Sequence, residues 1–205
     1  MSSGLHSRLR AATAQAHEAL ERDLDWEART STLEGYLGLL VLMRGFHAGF
    51  EPAIGRALDD ETFFGPRRRL DRLDADLACL GLDPGTITTL PTITPIALAS
   101  PAAAYGALYV LEGSTLGGQV IGRSIAERHG PEIAAACSYY RGHGRDTGRM
   151  WNAYRARLEA LDGDEALEAG IATFDTLRLW LAEQPPLEFV QSSKSQQPGS
   201  GHAGR

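Results

Sequence analysis

His17 can give an imidazole to a metal, and its surroundings suit a flat ligand. From Ser7 to Leu24 the chain carries no proline, and Leu9, Ala12, Ala16 and Leu20 recur at helical spacing. That spacing predicts a helix over 5–25, with Arg10, Thr13, Ala14, His17 and Glu21 on one stripe. Small side chains before the histidine let a planar group come close to the helix. Glu21, one turn on, is set to take the Nδ1–H and leave Nε2 free as a ligand. Arg10, two turns earlier, is within range of a carboxylate at the edge of a macrocycle. Taken alone, the same spacing also describes a surface histidine in a helical ion-pair network.

A second segment supplies what the first lacks. Tyr105 to His129 is long, mostly apolar and free of proline, yet it contains Gly106, Gly113, Gly117, Gly118 and Gly122. Each glycine costs about 1 kcal/mol against alanine inside a helix. Gly113 and Gly117 share a face and leave a patch without Cβ atoms, against which a planar group can lie. The adjacent Gly117 and Gly118 are a natural place for a kink. Close Gly-x-x-x-Gly packing against another helix explains such a pattern equally well. An imidazole on one helix and bare backbone on another together suggest a haem held between the two.

These elements sit in a chain whose helical periodicity covers most of its length. Helices are predicted near 5–25, 32–58, 66–81, 101–129, 131–138, 145–162 and 164–183, so the fold class is all-α, a single-domain multi-helix bundle over 1–183. Leu82 to Ser100, with Pro84-Gly85, Pro91 and Pro95, reads as a long surface connection, since prolines at that density exclude a central strand. The Ser-, Gln- and Gly-rich stretch 184–205 has too little apolar content to fold alone and reads as a disordered tail.

The two segments resemble motifs of the haem oxygenase family. Leu9-Arg-Ala-Ala-Thr-x-x-x-His17-x-x-x-Glu21 is similar to the family's proximal-helix motif. Tyr109-Val-Leu-Glu-Gly-Ser-Thr-Leu-Gly-Gly-Gln119 is similar to its glycine-rich distal helix, in the form of the bacterial, biliverdin-producing branch. Tyr36 to Pro52, Tyr154 to Leu161 and the segment around Phe174 resemble further family helices in the family order, so the likeness runs from Leu5 to Glu183. It implies a haem-oxygenase-like bundle with haem between a proximal and a glycine-kinked distal helix. His17 would be the iron ligand and Glu21 its supporting carboxylate. Arg10, Thr13, Arg155 and Phe174 would complete the haem-binding set, and Gly113, Ser114, Gly117 and Gly118 would form the catalytic distal wall. The reaction implied is oxidative cleavage of haem, both cofactor and substrate, by O₂ and electrons to biliverdin, carbon monoxide and ferrous iron. Electrons would come from an external ferredoxin or reductase, since no flavin or nicotinamide fingerprint is present. A bacterial phytochrome is the recipient of biliverdin that this branch implies. Two departures stand out. Ser114 occupies the place of an aspartate that organises proton delivery in mammalian-type enzymes, and Ala14 that of a second basic residue. Proton transfer then falls to Ser114, Thr115 or ordered water, and a non-catalytic haem carrier or sensor on the same fold is the alternative. A different enzyme on a similar helical fold, of the thiaminase-like or quinone-cofactor-synthesis kind, is a further rival.

Composition narrows the rest. A net charge of −6 over 205 residues argues against a nucleic-acid surface. Arg67-Arg68-Arg69 reads as solvated helix surface or a patch for an acidic electron donor. Cys79 and Cys137 lack metal-ligand spacing and read as packing residues of a reducing cytoplasm. No signal-peptide core or membrane-spanning stretch is visible, so a cytoplasmic protein without membrane insertion is expected. His47, among Leu39, Leu40, Met43 and Phe46, reads as a satisfied core or groove histidine. His143 reads as a flexible turn residue and His129 as a helix C-terminal residue. His6, near a frayed end, and His202, in the tail, are not candidate ligands. Tyr139, Tyr140, Trp151 and Tyr154 read as core and pocket wall.

Overall fold

A computed structural model of the chain describes residues 4–161 and 163–183; the tail read over 184–205, with His202, lies outside the described residues. Every regular element within them is helical. In chain order they are α1 (Leu5–Leu24), α2 (Trp26–Arg29), α3 (Leu33–Leu58), α4 (Glu61–Phe64) and α5 (Leu70–Cys79). After these come α6 (Pro84–Thr89), α7 (Pro101–His129), α8 (Pro131–Ala135), α9 (Thr147–Leu158) and α10 (Glu165–Ala182). Short 3₁₀ turns at Gly65–Arg67 and Gly144–Asp146 lead into α5 and α9. No described helix is long and apolar enough to cross a membrane.

The long helices start and stop where their sequence dictates. The Thr32 hydroxyl accepts from the Gly35 N–H at 3.0 Å to open α3, and Ser100, followed by Pro101, caps α7 through the Ala103 N–H. Asp59, in left-handed geometry at φ 47°, closes α3. Gly130, at φ 90° and followed by Pro131, closes α7.

The helix α10 packs along both α1 and α7, and α3 lies against α5, α7 and α10. Backbones approach closely at the seams. A Cβ on Gly106 would collide with the Ala166 carbonyl oxygen, and one on Gly170 would press on Leu9 and Thr13. Leu9, Tyr36, Leu40, Phe50, Leu77 and Tyr154 are fully buried between these helices. Burial of such side chains stabilises the bundle by about 1.5–3 kcal/mol each.

Several elements depart from the pattern read above. The connection after Leu82 contains a helix, α6, because Asp83 caps the Thr86 N–H at 3.1 Å and Pro84 sits at the first helical position; its threonines and isoleucine obscured that signal. The helix expected from 66 begins at Leu70, since Arg68 is extended after the 3₁₀ turn. Asp25 and Asp60 cap two further one-turn helices, α2 and α4, inside what read as connections.

The arginine run is not a solvated surface. Arg67 and Arg69 are 5% and 2% exposed. A buried guanidinium persists only when its donors find acceptors. Arg67 donates to the Phe63 and Met150 carbonyls at 2.6 and 3.0 Å, and Arg69 to the Leu111 carbonyl. His143 does lie in a turn, but its ring is buried 3.4 Å from the Glu112 carboxylate. Cys137 is buried as expected of a packing residue, whereas Cys79 is exposed. His129 ends α7 with its Nε2 2.8 Å from the Thr30 carbonyl.

Candidate functional site

Residues from α1, α3, α7, α9 and α10 enclose a cavity of about 630 Å³, well within the size range of small-molecule and cofactor sites. From α1 it receives His6, Arg10, His17 and Glu21; from α7, Tyr109, Gly113, Ser114, Gly117 and Gly118. Leu39 and Met43 of α3, Trp151 and Arg155 of α9, and Phe174 and Leu177 of α10 complete most of its wall. Tyr139 and Tyr140, from the turn after α8, close one side.

Two side chains lie against the imidazole of His17, neither within hydrogen-bonding distance. Its Nδ1 lies 3.6 Å from a Glu21 carboxylate oxygen, and its ring meets Phe174 edge-on, with centroids 5.4 Å apart. The side chain is half exposed and lines the cavity. Among the described residues no cluster of three or more His, Cys, Asp or Glu side chains could hold a metal.

The glycines of α7 divide by what they face. A Cβ on Gly113 or Gly117 would meet nothing within 4 Å, so both open onto the cavity. Gly118 and Gly122 instead pack on Tyr140, and Gly106 on α10. Gly113 and Gly117 leave a patch without Cβ atoms facing the cavity, whereas Gly106 and Gly122 are close-packing positions in the same helix. An apolar cavity with the His17 and His6 imidazoles, a bare stretch of backbone and Arg10 and Arg155 at its wall fits a haem.

Arg10, His17, Glu21, Gly113, Ser114, Gly117, Gly118, Arg155 and Phe174 thus line one cavity. Thr13 does not. It is 1% exposed, and its hydroxyl donates to the Leu9 carbonyl at 2.8 Å.

Behind Ser114 lies a polar array that the sequence did not reveal. Arg69 donates to the Ser114 hydroxyl at 3.0 Å, and that hydroxyl donates in turn to the Leu111 carbonyl at 2.8 Å. Tyr139 lines the same cavity as Ser114. The Tyr139 hydroxyl is 3.1 Å from His47 Nε2, and His47 Nδ1 is 2.7 Å from Glu51. Glu51 also accepts the Arg69 and Leu70 N–H groups at 2.7 and 3.1 Å. Burial pushes the His47 pKa down, against the pull of Glu51. Burial raises that of Glu51, but the hydrogen bonds from His47 and the Arg69 backbone outweigh it and leave it lowered. His47 is thus neutral beside an ionised Glu51. A carboxylate only accepts, so Nδ1 carries the imidazole proton and Nε2 accepts from Tyr139. His47 is the satisfied histidine expected, joined to the cavity through one hydroxyl.

His6 was set aside as a residue near a frayed end, yet it lines the cavity. The signal that could have found it is its spacing, one turn before Arg10 on the same stripe. Arg69 carried no such signal, because its partner lies on a distant helix.

Comparison with known proteins gives concordant results. The family model described as heme oxygenase matches residues 3–173. A heme oxygenase of Xanthomonas campestris pv. campestris (strain 8004) is 38% identical over 93 residues, 45% of this chain and 52% of that protein. The matched stretch therefore spans about half the length of that relative. The solved structure of NO- and CO-bound heme oxygenase from Neisseria meningitidis superposes with a TM-score of 0.70, covering 98% of this chain and 99% of that one. At 20% identity that likeness concerns the fold alone.

Proposed function

The chain belongs to the haem oxygenase family, and on that premise we propose that it binds haem between α1 and α7 and cleaves it oxidatively. Biliverdin, carbon monoxide and ferrous iron are the products, with O₂ as co-substrate and electrons from an external ferredoxin or reductase. The biliverdin passes to an acceptor such as a bacterial phytochrome. The observation that carries this reading is the pairing, across one cavity, of an open His17 imidazole with the Cβ-free Gly113 and Gly117.

Haem, when bound, supplies the iron that activates O₂ and the macrocycle that is oxidised. The protein's part is to hold, orient and feed protons. His17 anchors through Nε2 while Glu21 fixes its tautomer. As a neutral imidazole, His17 would give the iron a weaker donor than a thiolate. Gly113 and Gly117 let the α7 backbone come close, which restricts the space above the macrocycle and so which of its edges is exposed to oxidation. Arg10 and Arg155 meet the propionates and set the rotation of the ring within the cavity.

Protons consumed in the reaction enter through Ser114 and Tyr139, with His47 and Glu51 behind them. While His47 is neutral, the Tyr139 hydroxyl donates inward. A proton on His47 reverses the sense of the array, since Nε2–H then donates to Tyr139 and frees its hydroxyl to donate toward the cavity. Ser114 thereby does with partners what the missing aspartate does alone. Tyr139→Phe is expected to lower turnover by roughly 10²-fold, at the low end for a proton-transfer group, and to raise the fraction of electrons lost as hydrogen peroxide. Hemin affinity should be unchanged. Equal rates in the two proteins would remove Tyr139 from the route.

The test of the function as a whole is a hemin titration followed by reductant under air. A Soret band that forms and then decays into the broad red absorption of biliverdin is the expected result. A Soret band that persists through reduction assigns the chain to haem carriage. If no Soret band forms, the cavity serves another ligand.

A further inference from the structure

One cavity residue has no part in the chemistry above. The His6 ring lies edge-on to Trp151 and Tyr109, with centroids 5.7 and 6.2 Å away. Its backbone N–H donates to Glu159 at 3.2 Å, beside the Leu5 N–H at 2.7 Å, so α1 is pinned to the end of α9 there. The ring thus lies between two aromatic side chains, on backbone tied to Glu159. One turn further along α1 is Arg10, and α9 contributes Arg155 to the same cavity.

The groups that face His6 are few. From α1 there is Arg10, from α7 the Tyr109 phenol, and from α9 Arg155 and Glu159, with Trp151 uncharged. Glu159 is already committed to the two backbone N–H groups. We propose that His6 is the third member of a carboxylate clamp with Arg10 and Arg155, and that it takes up a proton when a haem propionate arrives beside it. The proposal rests on the haem reading given above.

The electrostatics fit this assignment. Burial of the ring, followed by the charges of Arg155 and Arg10, lowers the His6 pKa, against a partial opposing pull from Glu159. In the free protein His6 is therefore neutral near pH 7. Two guanidiniums that disfavour a further positive charge become neutralised once propionates sit between them. A carboxylate within about 4–6 Å then favours the charged imidazole. The sign follows. A group whose pKa rises on binding takes up a proton on binding, so affinity is greatest at low pH. It falls as pH rises from the free-state pKa to the bound-state pKa, by up to about tenfold per pH unit for one linked proton.

The experiment is calorimetry of hemin binding near pH 7 in buffers of different ionisation enthalpy, which reads proton uptake directly. It uses the full chain, His6→Phe and His6→Gln, each with hemin and with hemin dimethyl ester. Phenylalanine keeps the aromatic contacts with Trp151 and Tyr109, and glutamine keeps a hydrogen-bonding group, but neither titrates. The native chain should take up about one proton more than either variant with hemin, and the difference should vanish with the ester, which has no free carboxylates. Equal uptake in native and variant chains, with Soret bands present in all, overturns the role of His6 alone. So does a difference that survives esterification. A low-spin bis-histidine spectrum in the native chain that is lost in His6→Phe would place His6 on the iron and overturn the clamp. Absence of a Soret band in the native chain overturns the haem reading and this inference with it.

Discussion

On the proposed function, His17→Ala is expected to remove the ligand to the haem iron and with it haem cleavage, while leaving the fold intact. The side chain is 51% exposed and makes one loose contact with an even more exposed carboxylate; such pairs contribute between nothing and about 1 kcal/mol. Its remaining contact is the edge of Phe174, which can still pack against the apolar wall. Apo-protein melting should therefore shift by no more than a few degrees. The ligand role has no substitute nearby. The His47 nitrogens are both engaged, His143 is buried against Glu112, and His6 lies three turns away along α1, about 16 Å by helical rise. Loss of an outer partner of a metal ligand typically costs 10–100-fold in affinity or activity, and loss of the ligand itself should exceed that. Hemin titration of the variant should give a weak, shifted Soret band, no biliverdin, and partial recovery of the native spectrum on adding free imidazole. A variant that kept the native spectrum would place the iron on another residue and sink the assignment of α1 as the proximal helix.

The parts of this site that could be read from sequence are those whose partners lie on one helix. His17 and Glu21 are one turn apart, and helical geometry alone brings them together. The Cβ-free patch at Gly113 and Gly117 follows from the same rule. The polar array behind Ser114 does not. Arg69 reaches Ser114, and His47 reaches Tyr139, only because α3, α5 and α7 pack together, and no local pattern records that packing. Arg67-Arg68-Arg69 misled for a related reason. A charge run is a solvated surface unless acceptors are buried beside it, and here the acceptors are the Leu111, Phe63 and Met150 carbonyls, with the Glu112 carboxylate as counter-charge 3.5 Å from Arg67. Main-chain carbonyls leave no mark in composition. His6 was misjudged because a helix end was assumed to fray, whereas Glu159 ties the first turn of α1 to α9.

The glycines of α7 allow the sharpest separation of packing from function, because one substitution should have opposite effects at two positions in the same helix. Alanine is favoured over glycine in a helix interior by about 1 kcal/mol, and that gain applies equally at Gly106 and Gly113. What the new methyl group meets then decides the sign. At Gly106 it runs into the carbonyl oxygen and backbone of Ala166, which cannot rotate away, so α7 and α10 must part along their main seam. Overpacking of that kind costs typically 1–3 kcal/mol, and rigid backbone on both sides puts Gly106→Ala toward the upper end. Net destabilisation of about 2 kcal/mol should lower the melting temperature by roughly 4–8 °C at this chain length. At Gly113 the methyl enters open cavity, so Gly113→Ala should raise apo stability by up to about 1 kcal/mol. The same methyl occupies space that the haem face needs, and hemin affinity should fall while stability rises. Thermal melts of the apo-proteins paired with hemin titrations measure both quantities. If Gly113→Ala destabilised the apo-protein as Gly106→Ala does, the patch would be helix packing and the cavity reading would fail. If it stabilised the protein and left hemin binding unchanged, the haem would have to sit clear of α7, and control of the reaction by bare backbone would have no basis.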